Sequence, residues 1–289
     1  MKRELSPLTK IENSIWRDYR ESLWNPFTNA LKSYDLISEG DRIAVCVSGG
    51  KDSMLMAKLM DLLHRHSKFP FEVVYLVMDP GYRNEEITRI SDNAKRLGLD
   101  ITIFKTNVFS DAVHANEKSP CYMCARMRRG YLYSEASYLG CNKIALGHHY
   151  DDVIETTLMG MLYGSKLEAM PPKLCSTNHP GMQLIRPLYL VKEENIISWA
   201  DFNGLEFITG ACSVTKSGEG CGGSMRQKTK ELIGTLSHDN PAVKSSIFNS
   251  IHNVELDTMV GYKKLGVRYS FEDVFAERKS YREKDLPET

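Results

Sequence analysis

The sequence predicts a doubly wound α/β fold built on a parallel sheet, and three observations lead to this class. From residue 38 onward, short apolar runs alternate with longer amphipathic stretches. The runs are almost continuously apolar, as in strands that helices cover on both faces. A glycine-rich turn follows the first run directly, at the carboxyl end of the strand, where folds of this class bind ligands.

Each element follows from its periodicity and its boundary residues. Residues 1–37 form a predicted helical segment, with apolar residues at near-helical spacing. Predicted strands cover residues 42–47, 71–78, 100–104, 143–147 and 182–185, with a short edge strand at 206–208. Predicted helices cover residues 54–66, 84–97, 124–139, 151–163 and 193–203. A glycine-rich loop at 216–224 precedes a helix at 225–236, and the remainder is predicted to be mainly helical.

Composition and charge narrow the functional classes. The 289 residues are 42% hydrophobic, which is enough for one large domain with or without an appendage. The 37 basic and 37 acidic side chains balance, and a nucleic-acid partner stays open because a basic face can be offset elsewhere. No apolar stretch approaches the roughly 18 residues that span a bilayer, and the amino terminus lacks the apolar run of a signal peptide. The chain is therefore predicted to be cytoplasmic, with no membrane partner.

The first candidate site is the turn SGGKDS, which lies between a strand and a helix. Free N–H groups and the positive dipole end at a helix start favour an anion. The glycines let the backbone approach phosphate oxygens, the lysine can neutralise them, and the aspartate can cap the helix or help to hold Mg²⁺. The spacing is not that of a Walker A loop, and the plain structural alternative is a turn with an Asp cap. The predicted ATP-binding residues are Ser48, Gly49, Gly50, Lys51, Asp52 and Ser53.

This hexapeptide matches SGGxDS, the signature of the PP-loop (N-type) ATP pyrophosphatases, and the chain resembles that family. The resemblance implies that ATP is cleaved between its α and β phosphates, with transfer of AMP to a carbonyl oxygen of the substrate. It also implies an adenine nucleotide α-hydrolase-like fold. The predicted division is then an N-terminal helical segment at 1–37, an ATP-binding domain at 38–210 and a C-terminal extension at 211–289.

The second candidate half of the nucleotide site follows the fourth strand. Asp151 and Asp152 are adjacent carboxylates at a helix start, where they can join phosphates in holding Mg²⁺ or merely stabilise the helix dipole. The segment LGHHYDDVIETTLMGMLYG resembles the GHxxDDxxET motif of tRNA-thiolating PP-loop enzymes. That resemblance implies nucleotide contacts for Gly147 and His148, and Mg²⁺ binding or catalysis for Asp152. Asp79, just after the second strand, is predicted to face the adenosine moiety.

The seven cysteines occur in a chain without a secretion signal, which argues against a disulfide framework. Cys46 and Cys141 lie in or beside strands and are predicted to be small buried hydrophobic residues. Cys121 and Cys124 form a C-x-x-C immediately before a predicted helix, which fits a redox pair, half of a zinc site or part of an iron–sulfur site. An ATP-binding unit disfavours the redox pair, and zinc would need a second C-x-x-C, which the sequence lacks.

The segment CYMCARMRRGYLY resembles the CxxCxRxRRGxLY motif of the tRNA 2-thiocytidine synthetase family, and the similarity extends over about residues 40–235. In that family the pair and one distant cysteine hold a 4Fe-4S cluster, which leaves one iron open for sulfur. Cys212 lies about where the family's third ligand falls and is the predicted metal ligand, with Cys221 as the alternative. The loop between them lacks the C-x-x-C-G arrangement of some members.

The resemblance implies ATP-dependent thiolation of tRNA. ATP adenylylates the C2 oxygen of an anticodon-loop cytidine, with Mg²⁺ and Lys51 at the leaving pyrophosphate, and sulfide on the cluster then displaces AMP. Asp152, Lys51, Cys121 and Cys124 are the predicted catalytic residues. The arginines that follow the cysteine pair can draw an RNA backbone toward the cluster or form a solvated face: Arg126, Arg128 and Arg129.

The implied partners are tRNA and a sulfur donor, either a cysteine desulfurase or sulfide, and the resemblance also implies a homodimer. One alternative keeps the adenylylation but changes the nucleophile: a PP-loop amidotransferase or lysidine-type ligase would use nitrogen and need no cluster. A second alternative is a non-catalytic RNA-binding protein that retains the nucleotide fold.

Overall fold

The computed structural model describes residues 5–108, 120–208 and 221–284, with the backbone alone at 120–122, 221–224 and 278–284. Its centre is a six-stranded sheet. These strands are β1 (Arg42–Cys46), β2 (Glu72–Asp79), β3 (Ile101–Lys105), β4 (Lys143–Ala145), β5 (Lys173–Cys175) and β6 (Gln183–Ile185). A separate two-stranded sheet pairs β7 (Tyr262–Lys264) with β8 (Val267–Tyr269).

Helices precede, separate and follow the strands. In the first half they are α1 (Pro7–Trp16), a π-helix (Arg20–Trp24), α2 (Asn25–Ser33), α3 (Lys51–His66), α4 (Asn84–Leu97) and α5 (Pro120–Tyr138). In the second half they are α6 (Tyr150–Gly164), α7 (Glu193–Phe202), α8 (Cys221–Asp239), α9 (Val243–Ser250), a 3₁₀ turn (Leu256–Thr258) and α10 (Phe271–Lys284).

The sheet is parallel except at one edge, so the predicted fold class is confirmed. The order is β3-β2-β1-β4-β6-β5, and only β5 runs antiparallel to its neighbour. Both faces are buried: Ile43 and Val45 of β1 pack into one apolar cluster, and Ala44 and Cys46 pack into another. Cys46 and Cys141 are buried, as predicted.

The chain direction across the sheet reverses at β1. The chain runs outward through β2 and β3 and then returns to the other side of β1 with β4, where Val45 pairs with Ala145. The loops that follow β1 and β4 therefore leave the sheet side by side, at the switch point where folds of this class bind ligands. This register brings Ser48–Ser53 next to residues 147–152.

Several predicted boundaries need correction. Helix α3 begins at Lys51 rather than at Met54, and its N-cap is Gly50, so Asp52 lies in the first turn and is not the cap. Residues Pro120–Tyr138 are helical in α5, so the C-x-x-C pair lies inside the helix and not before it. Residues 221–224, predicted to lie in a loop, are helical and belong to α8.

The predicted edge strand at 206–208 is wrong, and an edge strand that the sequence did not predict occurs elsewhere. The N–H of Ile208 donates to the carbonyl of Gly49 at 3.3 Å, and the carbonyl of Glu206 accepts from Asn93 Nδ2 at 2.7 Å. This segment therefore binds the phosphate loop and α4 instead of the sheet edge. The edge strand next to β6 is β5, whose three residues are all exposed and carry no apolar run.

The chain divides into two compact units, Met1–Lys244 and Ser245–Thr289. The first contains the six-stranded sheet and the second the hairpin of β7 and β8. The boundaries predicted at 37/38 and 210/211 stay predictions. Within the described residues, none of the helices combines the length and apolar character needed to cross a membrane, and the predicted location in the cytoplasm stays a prediction.

Candidate active site

A cavity of about 430 Å³ lies at the switch point of the sheet, within the range of small-molecule sites. Its walls come from the end of β1, the start of α3, the loop after β4 and part of α5. Six predicted site residues line it: Ser48, Asp52, Ser53, Gly147, His148 and Asp152. Arg128 and Arg129 of α5 also line it, whereas the other predicted residues of the nucleotide site do not: Gly49, Gly50, Lys51 and Asp79.

Hydrogen bonds within the phosphate loop fix its shape. The N–H of Ser48 donates to Oγ of Ser53 at 3.0 Å, and Ser53 Oγ donates to the carbonyl of Gly50 at 3.0 Å. The two serine hydroxyls lie 3.1 Å apart. The hydroxyl of Tyr82 donates to the carbonyl of Ser48 at 3.3 Å. The hydroxyls of Ser48 and Ser53, together with Tyr82, thus hold the loop in this conformation.

The starts of α3 and α6 differ in how their N–H groups are satisfied. At α6 the ring of His149 accepts from the N–H of Asp152 at 3.4 Å, and the Asp152 carboxylate accepts from the N–H of His149 at 3.0 Å. At α3 the N-cap is Gly50, which offers no side-chain acceptor. Because the first N–H groups of a helix attract anions when nothing caps them, a phosphate fits the start of α3 and not that of α6.

Two glycines permit the close approach of segments around the loop. Gly49 has φ +84°, and a Cβ atom there would lie 2.6 Å from Cγ1 of Ile90. A Cβ atom on Gly147 would lie 3.0 Å from both Cα and N of Ser53. The first position needs glycine for its backbone conformation, and the second needs it because the loop after β4 touches the backbone of α3.

Lys51 is held away from the cavity by carboxylates. Its Nζ donates to Oε1 of Glu193 at 3.0 Å and lies 3.2 Å from the Asp52 carboxylate. Glu193 also accepts from Nζ of Lys230 at 2.5 Å. Burial opposes ionisation of Glu193, but the hydrogen bonds from Lys230 and Lys51 outweigh it and lower its pKa to about 2. Lys51 can reach a phosphate only by exchanging one of these partners.

The adjacent carboxylates of α6 have different surroundings. Asp152 lines the cavity. Asp151 is buried and does not line it: its carboxylate accepts from Nζ of Lys244 at 2.7 Å and from the N–H of Glu193 at 2.8 Å. The carboxylate that joins Asp152 at the cavity is instead Asp52. Nε2 of His149 lies 3.5 Å from Asp152 Oδ2 and 3.7 Å from Asp52 Oδ1.

His148 is neutral near pH 7. Burial, reinforced by nearby Arg186 and Arg226 and opposed by Asp152, lowers its pKa to about 4. Its Nδ1 is buried and has no hydrogen-bond partner among the described residues. A neutral imidazole at the cavity wall can accept or donate one hydrogen bond, according to its tautomer. This suits a polar atom of a bound nucleotide and does not suit a charge contact with phosphate.

The carboxylate of Asp79 already has partners in the turn after β2. Its Oδ1 accepts from the N–H groups of Gly81 at 3.0 Å and Tyr82 at 2.7 Å. This turn places Tyr82 against the phosphate loop, so Asp79 acts on the site at least through Tyr82. A direct contact with adenosine stays a prediction.

Of the predicted cluster ligands, only Cys124 has a described side chain. It is half-buried in the first turns of α5 and directly precedes Ala125, which lines the cavity. The side chains of Cys121 and of the alternative ligand Cys221 are not described, although the backbone of each is helical. Cys212 lies outside the described residues, so its role stays a prediction.

Two cations of α8 reach the site, and the sequence did not reveal them. Arg226 donates through Nε to Glu155 at 2.8 Å and through Nη2 to Asp152 at 3.1 Å. Lys230, four residues later on the same helix face, holds Glu193. The only sequence signal is this spacing of four residues, which says nothing about which carboxylates the cations meet, because α8 and α6 are far apart along the chain.

The donors at the cavity fit Mg²⁺ only if a ligand completes its coordination. Within residues 5–108, 120–208 and 221–284, no group of three His, Cys, Asp or Glu side chains could hold a metal by itself. Oδ1 of Asp52 is buried and accepts no aligned hydrogen bond among the described residues. Mg²⁺ often binds one or two carboxylates together with substrate phosphates, and Asp52 and Asp152 meet that requirement.

Known proteins resemble this chain over most of its length. Residues 21–215 match the PP-loop domain family, ATP_bind_3. A tRNA-cytidine(32) 2-sulfurtransferase from Citrifermentans bemidjiense is 39% identical over 233 residues, covering 80% of this chain and 89% of the relative. A protein of the same name from Geotalea uraniireducens is 36% identical over 261 residues, covering 88% and 96%.

A solved structure shares the fold. The U34-tRNA thiolase NcsA from Methanococcus maripaludis, which was solved with its 4Fe-4S cluster, superposes with a TM-score of 0.62. The match covers 80% of this chain and 79% of the other, at 21% sequence identity. At this identity the likeness concerns the fold alone.

Proposed function

The chain belongs to the PP-loop domain family, together with relatives named tRNA-cytidine(32) 2-sulfurtransferase, and we propose that it uses ATP to replace O2 of a tRNA cytidine by sulfur. Identities of 36% and 39% over at least 80% of the chain make it a tRNA sulfurtransferase. The use of ATP, the cluster, Mg²⁺ and the anticodon-loop position are the parts proposed here.

One observation carries the proposal. The uncapped start of α3, the carboxylate of Asp152 and the helix that bears the C-x-x-C all meet at one cavity. Because residues of α3 and α5 line the same cavity, it can receive both the phosphates of ATP at α3 and a base beside α5. Because the target base has to leave its stack to enter, a loop nucleotide of tRNA is favoured over one in a duplex.

The reaction has two steps. In the first, O2 of the cytidine attacks the α phosphorus, the bond from that phosphorus to the bridging oxygen breaks, and pyrophosphate leaves. In the second, sulfide adds to C2, the C2–O2 bond breaks, AMP leaves with that oxygen, and the sulfide proton passes to solvent. The first step concentrates negative charge on the leaving pyrophosphate, which preorganised donors stabilise.

The residues divide between these steps. The N–H groups at the start of α3 and the serine hydroxyls of Ser48 and Ser53 bind phosphate, and Lys51 neutralises the pyrophosphate after leaving Glu193. Asp52 and Asp152 would hold Mg²⁺, which would draw charge from the phosphate oxygens. Neutral His148 orients the nucleotide. Gly49, Gly50 and Gly147 allow the backbone approaches, and Asp79 acts through the turn that holds Tyr82.

Cys121, Cys124 and Cys212 would hold the 4Fe-4S cluster, with Cys221 as the alternative third ligand. With three protein ligands, the cluster would leave one iron open and would supply a site for the incoming sulfide. NcsA supports this assignment, because it has the same fold and was solved with its 4Fe-4S cluster. A sulfur donor and a homodimer are further proposals that rest on the family resemblance.

The test separates the two steps. The protein, purified without oxygen, is given ATP, Mg²⁺, sulfide and tRNA; pyrophosphate is assayed, and tRNA nucleosides are analysed by mass spectrometry. We expect a brown protein that absorbs at about 400 nm, as iron–sulfur proteins do, and that forms 2-thiocytidine. Asp152→Asn should lose pyrophosphate release, whereas Cys124→Ala should lose the colour and the thionucleoside but keep tRNA-dependent pyrophosphate release.

Matched controls fix the interpretation. Cys175 is exposed on β5, so Cys175→Ala should keep both colour and activity. Cys212→Ala should lose the cluster and Cys221→Ala should retain it; the reverse result would transfer the third ligand to Cys221. A colourless protein with full thiolation activity would contradict the cluster, and incorporation of nitrogen instead of sulfur would favour the PP-loop ligase alternative.

A further inference from the structure

Arg226 of helix α8 binds the carboxylate of Asp152, which faces the candidate ATP site. This helix packs along α6 within the first unit of the chain. Nη2 of Arg226 donates to Oδ1 of Asp152 at 3.1 Å, and its Nε donates to Oε2 of Glu155 at 2.8 Å. Arg226 therefore occupies one oxygen of the carboxylate that the proposed function gives to Mg²⁺.

The two contacts of Arg226 are not equivalent. Glu155 is only 5% exposed, and a buried carboxylate without its cation is strongly unfavourable. Asp152 instead lines the cavity and also accepts from the N–H of its own helix cap, His149. The guanidinium is thus anchored at Glu155 and can change its second partner while the anchor holds.

We propose that Arg226 keeps a divalent cation off Asp152 until nucleotide binds and then exchanges Asp152 for a phosphate oxygen. The inference rests on the proposed function, because it takes the cavity to be the ATP site. It adds a residue from α8 to a site otherwise built from the end of β1, the start of α3, α5, the loop after β4 and the start of α6.

Charge explains both halves of the exchange. Without nucleotide, a divalent cation bound to Asp152 would lie beside the guanidinium of Arg226, which donates to the same carboxylate. The two positive charges would repel each other. A bound triphosphate brings enough negative charge for both cations. The guanidinium then pairs with a phosphate oxygen, for which its planar fork is well suited, and frees Asp152 for the metal.

The helix that carries Arg226 also includes Cys221 and follows the predicted ligand Cys212 in sequence. A second cation on the same face, Lys230, reaches the phosphate-loop lysine through Glu193, with distances of 2.5 Å and 3.0 Å. Filling the ATP site therefore changes the partners of α8. The exchange orders the reaction, since metal joins the site only together with nucleotide.

The experiment measures two affinities that should change in opposite directions. Mn²⁺ replaces Mg²⁺ as the probe, because it prefers the same oxygen ligands. Electron paramagnetic resonance measures the concentration of free Mn²⁺ and so gives its affinity for the protein. In Arg226→Gln, which removes the charge but keeps a hydrogen-bonding group, we expect the protein without nucleotide to bind Mn²⁺ about tenfold more tightly. The affinity of Arg226→Gln for α,β-methylene ATP in the presence of Mg²⁺, measured by calorimetry, should be about tenfold weaker than that of the wild type.

Three further variants give the matched controls. Arg226→Lys keeps the charge, so its Mn²⁺ affinity should stay as weak as in the wild type. Lys244→Gln removes the equivalent cation from the neighbouring Asp151, which does not line the cavity, and should change neither affinity. Asp152→Asn in the Arg226→Gln background should abolish the gain in Mn²⁺ binding, which assigns that gain to this carboxylate.

The outcomes are decisive in both directions. Unchanged Mn²⁺ affinity in Arg226→Gln, or the same changes in Lys244→Gln, would overturn the proposal. If Arg226→Gln does not fold, Glu155→Gln/Arg226→Gln replaces it with the same expected results, because no buried carboxylate is then left unpaired. No tRNA or sulfide enters these measurements, so a wild-type protein that fails to make 2-thiocytidine would refute the proposed function while leaving this result intact.

Discussion

His148 and His149 are neighbours in sequence but do different work at the site. His149 is buried, caps α6 and faces two carboxylates, Asp52 and Asp152. His148 lines the cavity and has a buried, unpaired Nδ1 among the described residues. The family motif pointed to His148 alone. The part played by His149 depends on Asp52, which is almost a hundred residues away, and it needed the tertiary structure to be found.

The lowered pKa of His148 predicts a dependence of stability on pH. Its pKa is about 4 in the folded protein against an ordinary value of 6.5, so the unfolded chain takes up the proton at higher pH. This group therefore reduces stability as the pH falls from 6.5 toward 4 and has little effect above that window. When the pH is lowered from 7 to 5, the unfolding free energy of the wild type should fall by about 2 kcal/mol more than that of His148→Asn. Urea denaturation of both proteins at the two pH values measures this difference.

The control for this pH dependence is His238→Asn. The side chain of His238 is 90% exposed, so its replacement should leave the wild-type pH dependence unchanged. If His148→Asn loses as much stability as the wild type over this pH range, His148 is not held neutral by its surroundings.

At the scale of elements, the site depends on how α3 and α6 begin. Both helices start at the carboxyl end of a strand, and both carry acidic residues in their first turn. Only α6 caps an N–H group of its first turn, that of Asp152, with a side chain of its own helix start, His149. The start of α3 stays available for an anion, so the phosphate position is decided by capping and not by charge alone.

The contact between these elements can be tested at Gly147. In Gly147→Ala the new Cβ atom would lie 3.0 Å from Cα and N of Ser53, and backbone atoms cannot avoid it by changing a rotamer. We expect a loss of about 1–3 kcal/mol in unfolding free energy, as for other overpacked sites, together with ATP binding at least about tenfold weaker.

The matched control is Gly234→Ala in α8, where a Cβ atom would meet nothing within 4 Å. Because alanine is the better helix former, this change should leave stability unaltered or raise it by up to about 1 kcal/mol. An unchanged Gly147→Ala protein would mean that the two segments can separate without cost.

At the scale of the whole molecule, the balance of 37 basic and 37 acidic residues hides local differences. Many cations near the site are paired with carboxylates, as Lys51, Lys230 and Lys244 show. Arg128 and Arg129 line the cavity from α5, and Arg126 is exposed on the same helix. A chain without net charge can therefore still present a cationic helix to RNA.

This distribution predicts how tRNA affinity responds to salt. Each phosphate contact on a single strand contributes about 0.7 to the slope of log affinity against log salt concentration. Arg126→Ala/Arg128→Ala should reduce that slope by about 1.4, measured by fluorescence anisotropy between about 50 and 200 mM KCl. Lys95→Ala, whose side chain is 79% exposed on α4, should leave the slope unchanged. Equal slopes in all three proteins would exclude α5 from the RNA interface.

The sequence by itself determined the fold class, the strands of the parallel sheet and the two loops that face the cavity. These features are local: apolar periodicity and glycine-rich turns act over a few residues, and each motif lies within one segment. Local patterns also predicted the burial of Cys46 and Cys141, which the structure confirmed. They failed at residues 206–208, because a short apolar run does not reveal whether it will pair with a sheet or cover a loop.

Only the tertiary structure decided which charges meet at the site. It separated Asp151 from Asp152, paired Asp52 with Asp152 around His149, and brought Arg226 to the cavity. Such contacts join residues about seventy or more positions apart, and their energies depend on burial and geometry that no local pattern encodes. The sequence motifs thus identified the segments that form the candidate site. The packing of α3, α6 and α8 determined which of their charged side chains pair with one another.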